Sequence, residues 1–339
     1  MTLPELWFIA VAVLFTGYFV LEGFDFGVGM LFPVLGRTDN RRRVLLNTIG
    51  PVWDGNEVWL ITAVGAMFAA FPAWYATMFS GFYLLMLLIL VSLIVRVVSI
   101  EWRGKINDPA WRRLCDAGIM TGSFVPSFLW GVIFSNIVAG LAIDKTGYVT
   151  SGFSDLFNAY AVLGGLTTLA LFLLHGTVFV ALKSAGDVSI DARLLVRRFG
   201  VLPVAFVAAF SVWTQIEFGK SWTLIVAGGV VGALLAAWVL AAIERDGWAF
   251  AFTTLSVAGL GVLLFGSLFP NVLPSTIDPE FTLTIANAAS SHYTLKIVGW
   301  LALIFGPIVL LYQGWTYWVF RKRIAVEHIP PSIGLSLRR

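Results

Sequence analysis

The sequence predicts an all-α integral membrane protein of nine transmembrane helices, on three observations. Hydrophobic residues make up 59% of the 339-residue chain and charged residues only 12%, with a mean hydropathy of +0.88. A soluble domain carries roughly 25% charged residues, so this chain has too little polar surface to face water. Apolar residues run unbroken, as in LLMLLILVSLIV from Leu84 to Val95, whereas barrel strands would alternate apolar and polar over segments of about ten residues. Backbone groups in hydrocarbon must be satisfied internally, so the remaining solution is a set of helices. Finally, the cationic residues fall in alternate loops, as spans that cross and recross a bilayer require.

Nine stretches approach the ~20 residues that cross a hydrocarbon core of about 30 Å. They lie near 5–30, 51–72, 75–99, 117–140, 156–182, 199–217, 222–243, 247–269 and 292–320. The first lacks a basic leader segment and is read as a span, with no cleavable signal. Of the 22 Lys and Arg residues, all but Arg96, Lys145, Lys220 and Lys296 fall after spans one, three, five and seven or in the tail. The tail group includes Arg321, Lys322, Arg323, Arg338 and Arg339. The positive-inside rule then puts the N-terminus outside and the C-terminus in the cytoplasm, which an odd number of spans satisfies. Trp74 and Tyr75 outside, Trp102 and Trp111 inside, and Trp315, Tyr317 and Trp318 at the last span are read as interfacial belts. Pro270 to Ser291 reads as an ordered external loop.

The polar residues inside the spans are compact in sequence. Span one ends LEGFDFGVG, with Glu22 and Asp25 three apart; span two begins GPVWDGNEVWL, with Asp54 and Glu57 three apart. Helical spacing puts each pair on one face, and opposite span directions bring all four carboxyls to the cytoplasmic side. Arg96 lies at comparable depth in span three, and Asn56 adds an amide. Three readings stay open at this stage. One is a buried ion-pair cluster joining three helices, and another is acids complementing the helix N-terminus after Pro51. The third is a proton path from the cytoplasm, because intramembrane carboxyls are how protons enter a bilayer.

Other chemistries find less support. His175 is the one intramembrane His and is read as a hydrogen-bonded packing residue; His292 and His328 lie at span nine's outer mouth and in the tail. Met86 and Met120 are the methionines expected to be buried, and neither forms a ligand pattern with His175. No paired-His haem motif, no GxxxxGK[ST] phosphate loop and no HExxH zinc motif occurs. The lone Cys115 allows no internal disulfide and is read as inert packing. Gly23 and Gly27 suit close helix packing, and the flanking spans make the basic run Arg41 to Arg43 a topology signal, with no nucleic-acid role.

Three stretches resemble subunit II of the cytochrome bd-type quinol oxidases. They are GPVWDGNEVWL (Gly50 to Leu60), LEGFDFGVGMLFP (Leu21 to Pro33) and FPNVLPSTIDPEFTLTIANAASSHYTLKI (Phe269 to Ile297), and the similarity covers essentially the whole chain. The resemblance implies two four-helix bundles, about 1–140 and 156–270, plus a ninth peripheral helix at 292–320. It implies a bacterial inner-membrane complex in which this chain binds no cofactor and pairs with subunit I, small accessory subunits being left open. Subunit I would carry two haems b, haem d and the quinol site. The complex would reduce dioxygen to water with cytoplasmic protons, without pumping. Asp54, Glu57, Asp25 and Glu22 would then form the proton pathway, supported by Trp53, Asn56 and Arg96. Asn287 stands where some relatives have an acid. The competing functional readings are a proton-coupled secondary transporter and a purely structural scaffold.

Overall fold

The computed structural model describes residues 1–331, 334 and 335; Arg338 and Arg339 of the predicted cytoplasmic tail lie outside the described residues. The architecture is helical, with one two-stranded sheet. Helix α1 (Leu3–Met30) begins at Thr2, whose hydroxyl accepts from the Glu5 amide while Glu5 accepts from the Thr2 amide at 2.7 Å. That reciprocal cap satisfies two backbone donors that would otherwise be orphaned. Short α2 (Phe32–Leu35) and α3 (Asp39–Ile49) lead to α4 (Trp53–Ala70).

Next come α5 (Pro72–Gly81), α6 (Tyr83–Trp102) and α7 (Pro109–Ala139), followed by α8 (Ala159–Lys183). The expected single span at 75–99 is therefore corrected: the helix starts at Pro72, breaks at Phe82 and restarts at Tyr83. Helix α9 (Asp187–Phe199) meets α10 (Val201–Glu217) at Gly200 with a 48° bend. Helices α11 (Thr223–Ala242) and α12 (Asp246–Leu268) pack on each other. The loop after α12 folds back as β1 (Asn271–Leu273) and β2 (Leu283–Thr284), antiparallel, with one turn of helix α13 (Ile285–Ala288). Ser290 ties this loop down, its amide donating to the Ala70 carbonyl at 2.8 Å and its hydroxyl to that of Ala69 at 2.6 Å. Helix α14 (His292–Val319) closes the set.

Seven of these helices (α1, α6, α7, α8, α11, α12 and α14) are long and apolar enough to cross a membrane, and the bent α9–α10 pair makes an eighth. The remaining stretch expected to span, 51–72, is occupied by the 18-residue α4, which carries Asp54 and Glu57 in its first turns.

Helix α1 lies at the centre, against α4, α7, α8 and α12. Its contact with α8 depends on Gly27 facing Gly176: a Cβ on Gly27 would lie 2.7 Å from the Gly176 Cα. Only a residue without a side chain allows backbones to approach so closely. Buried Ser123, Ser127 and Ser135 turn their hydroxyls back to carbonyls one turn earlier in α7, so these polar groups cost little in an apolar interior. Helix α14 is peripheral, with Leu295 its one buried residue; the Trp7 indole anchors it by donating to the Leu295 carbonyl at 3.0 Å.

Two smaller expectations are corrected. Trp74 is no belt residue, being 1% exposed and stacked on Phe8. Met30, Met67 and Met78 are the buried methionines, while Met86 and Met120 are half-buried, because helical phase turns the latter two toward the protein's rim.

Candidate functional site

Helices α1, α4 and α6 converge near their basic-side ends on a cluster of acids around one guanidinium. Glu22 and Asp25 lie on the buried face of α1, and both are fully inaccessible. Arg96 in α6 is equally buried, and Gly122 of α7 makes room for it: a Cβ there would fall 2.6 Å from the Arg96 Cβ. Arg96 Nη1 donates to Glu22 Oε1 and, at 3.1 Å, to Glu57 Oε1. Its guanidinium also lies 4.8 Å from the Phe26 ring centroid, a cation–π contact.

Asp25 takes a different partner. Asn56 Nδ2 donates to Asp25 Oδ2 at 2.6 Å and to the Leu21 carbonyl at 3.4 Å. Asn56 Oδ1 in turn accepts from the Tyr317 hydroxyl at 2.7 Å and from Gln313 Nε2 at 3.3 Å. The far end of the chain thereby reaches into the site. Gln313 is itself held by the Trp59 indole, which donates to its Oε1 at 2.7 Å. Trp53 is buried beside the cluster, in the first turn of α4.

The structure thus gathers Glu22, Asp25, Glu57, Asn56 and Arg96, and it leaves Asp54 apart. Asp54 is exposed at the start of α4, with no polar partner recorded among the described residues. Sequence reading missed Gln313 and Tyr317. Tyr317, taken there as an interfacial residue, is half-buried and bonded to Asn56, which corrects that reading. The available signal was two polar residues four apart on one face of an otherwise apolar helix.

Polar atoms in the cluster outnumber their partners. Glu22 Oε2, Asp25 Oδ1, Arg96 Nε and Arg96 Nη2 are buried without a hydrogen-bond partner among the described residues. Such groups cost about 1–3 kcal/mol each when left dry and are usually satisfied by ordered water.

The three histidines lie outside the cluster. His175 uses both ring nitrogens, Nδ1 with the Thr253 hydroxyl at 2.7 Å and Nε2 with the Val20 carbonyl at 3.1 Å. Its ring also stacks on Phe250 at 4.8 Å. His328 Nδ1 accepts from the Ala325 amide, and His292 sits exposed in the first turn of α14. Asn287 is spent on its own loop, bonded to Thr284 and Thr282.

Fold and site together define a multi-pass helical membrane protein whose polar core is a carboxyl–guanidinium–amide cluster. Comparison with known proteins narrows that class. The profile of the family described as cytochrome bd terminal oxidase subunit II matches residues 3–320. The cytochrome bd ubiquinol oxidase subunit 2 of Bacillus subtilis is 42% identical over 331 residues, covering 96% of this chain and 97% of that one. The cytochrome bd-I ubiquinol oxidase subunit 2 of Escherichia coli K12 is 34% identical over 363 residues, covering 96% of each. A chain from the structure of the bd oxidase of Geobacillus thermodenitrificans superimposes with TM-score 0.72 and 18% identity, over 92% of this chain and 98% of that one, a likeness of fold. The chain belongs to the cytochrome bd terminal oxidase subunit II family, and is a multi-pass subunit of an oxidoreductase complex in the bacterial cytoplasmic membrane.

Proposed function

We propose that this chain is the haem-free subunit II of a quinol:dioxygen oxidoreductase, serving as scaffold for subunit I and as a supplier of cytoplasmic protons. The supporting fold reading is nine spans, with α4 counted as the ninth, in two four-helix bundles plus α14. The N-terminus is outside and the basic loops are cytoplasmic. Two haems b, haem d and the quinol site belong in this reading to subunit I, where dioxygen is reduced.

The observation that carries the proton role is the cluster's composition and its orphaned atoms. Three carboxyls (Glu22, Asp25 and Glu57) gather around one guanidinium, which pairs with Glu22 and Glu57, and four of the cluster's polar atoms lack partners among the described residues. Burying unpaired charge is costly, so a set with more carboxyls than cations favours keeping a proton among its members. Asp54 stands exposed at the entrance and Glu57 half-buried behind it on the same helix, with Glu22 and Asp25 inaccessible beyond. Exposure falls from rim to interior, as an inward path requires. Arg96 and Asn56 position the carboxyls, and Trp53 packs the start of α4.

The structural-scaffold reading predicts the same buried ion pairs but gives Asp54 no task. The transporter reading calls for a midplane site between broken helices, whereas the cluster lies toward one end of α1 and α4. The test is the complex purified through a tag on this chain, as wild type and as Asp54→Asn. Haem b and haem d bands with a co-purifying large subunit are expected in both. Oxygen consumption in the variant is expected to fall at least about tenfold, within the range that positioned proton donors supply. A colourless chain, stable alone, would sink the oxidase assignment; normal turnover in the variant would sink the relay.

A further inference from the structure

A cavity of about 770 Å³ opens at the basic end, between α1, the end of α3 and its junction with α4, α8, α12, and the end of α14 with the segment following it. Its walls are apolar and aromatic, with Phe24, Phe179, Leu182, Phe250 and Phe320 among them. Its mouth is cationic, formed by Lys183, Arg321, Lys322 and Arg323, and no Asp or Glu is among its lining residues. Two of these cations are already engaged. Arg323 pairs with Asp246 at 3.2 Å, and the Lys183 ammonium donates to the carbonyls of Phe320 and Lys322, which holds the 320–322 backbone across the opening. Arg321 is braced on Trp318, 4.3 Å from the ring centroid and donating to its carbonyl at 2.6 Å. Neither Arg321 nor Lys322 has an acidic partner among the described residues.

We propose that this cavity is a binding site for one acidic phospholipid. Its anionic headgroup is held by Arg321 and Lys322, and an acyl chain lies against Phe24, Phe179 and Phe250. Three observations single out this occupant. The volume falls in the ~300–1,000 Å³ range of small-molecule sites. The walls are apolar where a chain would lie, which a free phosphate does not need. The unpaired cations stand just beyond an apolar helix, where basic residues meet anionic headgroups. Tyr317 lines the same cavity while its hydroxyl bonds Asn56, so the lipid would border the acid cluster. The site itself stands independently of the proton role.

The test uses the full-length chain purified with the subunits that accompany it. The complex is stripped of lipid in detergent, then equilibrated with phosphatidylcholine containing a minor fraction of phosphatidylglycerol. Lipid retained per complex is counted by native mass spectrometry. Wild type is expected to retain one phosphatidylglycerol in preference to phosphatidylcholine, undisturbed by inorganic phosphate. Arg321→Gln combined with Lys322→Gln is expected to lower that retention at least about tenfold. Thr254 of α12 also lines the apolar part of the cavity, and Thr254→Trp, which fills that part and leaves the cations in place, is expected to do the same. Equal retention of phosphatidylcholine by wild type overturns the proposal without recourse to any variant. Undiminished phosphatidylglycerol on the charge variant also overturns it, and displacement by inorganic phosphate would reduce the site to a phosphate subsite.

Discussion

Two regions near the basic end of this molecule are built from the same residue types and balance them differently. In the outer region Arg103 donates to Asp116 at 2.5 Å and Asp39 at 2.9 Å, Arg42 to Asp116 at 2.8 Å, and Arg193 to Asp246 at 2.6 Å. There cations match or outnumber acids, and Asp116, Asp39 and Asp246 are each shared by two arginines. In the inner region, a turn or two deeper, one arginine stands among three carboxyls and pairs with two of them, and Glu22, Asp25 and Arg96 each retain an atom without a hydrogen-bond partner among the described residues. Matched charges hold helix ends together. An excess of acid over cation is a poorer clamp, and it is what the proposed proton role draws on.

Breaking the inner region at its cation gives the largest expected effect. Arg96→Gln leaves buried carboxylates without a counter-charge, and removing one partner of a buried pair costs about 3–5 kcal/mol. The expected readout is loss of assembled complex in the membrane fraction. Normal yield would mean that the acids are already neutral without Arg96.

Breaking the outer region is expected to cost less and to spare turnover. Asp116→Asn removes the carboxylate shared by Arg42 and Arg103, and charged hydrogen bonds contribute about 1.5–3 kcal/mol. Thermal unfolding of the purified complex should shift downward while oxygen consumption per haem stays at the wild-type value. A matching loss of turnover would erase the distinction between the two regions.

The mildest change sharpens the boundary between them. Tyr317→Phe removes one hydrogen bond to Asn56, a loss of about 0.5–1.5 kcal/mol. Stability should move little, and turnover should fall measurably, because Asn56 is what holds Asp25. Unaltered turnover would show that Asn56 keeps its orientation through Gln313 alone.

Much of this was legible in the sequence, and the remainder was hidden for physical reasons. Apolar runs and alternating loop charge indicated the helices, and three-residue spacing placed Glu22 with Asp25 on one buried face. Arg96 was foreseen as the counter-charge because depth follows from position along a span. Gln313 and Tyr317 escaped because no local pattern joins them to Asn56, more than 250 residues earlier; only packing of α14 on α4 does. Asp54 was grouped with Glu57 by spacing, yet it sits at the first turn of α4, where the rim begins. The break at Phe82 is a single residue between two helices of like hydropathy, and hydropathy does not register so short an interruption.

Asp25→Asn is the most direct test of the central claim, because it keeps the side chain's shape, removes the titratable group and breaks no ion pair with Arg96. Proton uptake and dioxygen reduction would be followed together by stopped flow on the haem-replete complex. The account predicts that both slow at least about tenfold, with the haem spectrum unaltered. Proton uptake at the wild-type rate would contradict it and leave the cluster a purely structural joint between α1, α4 and α6.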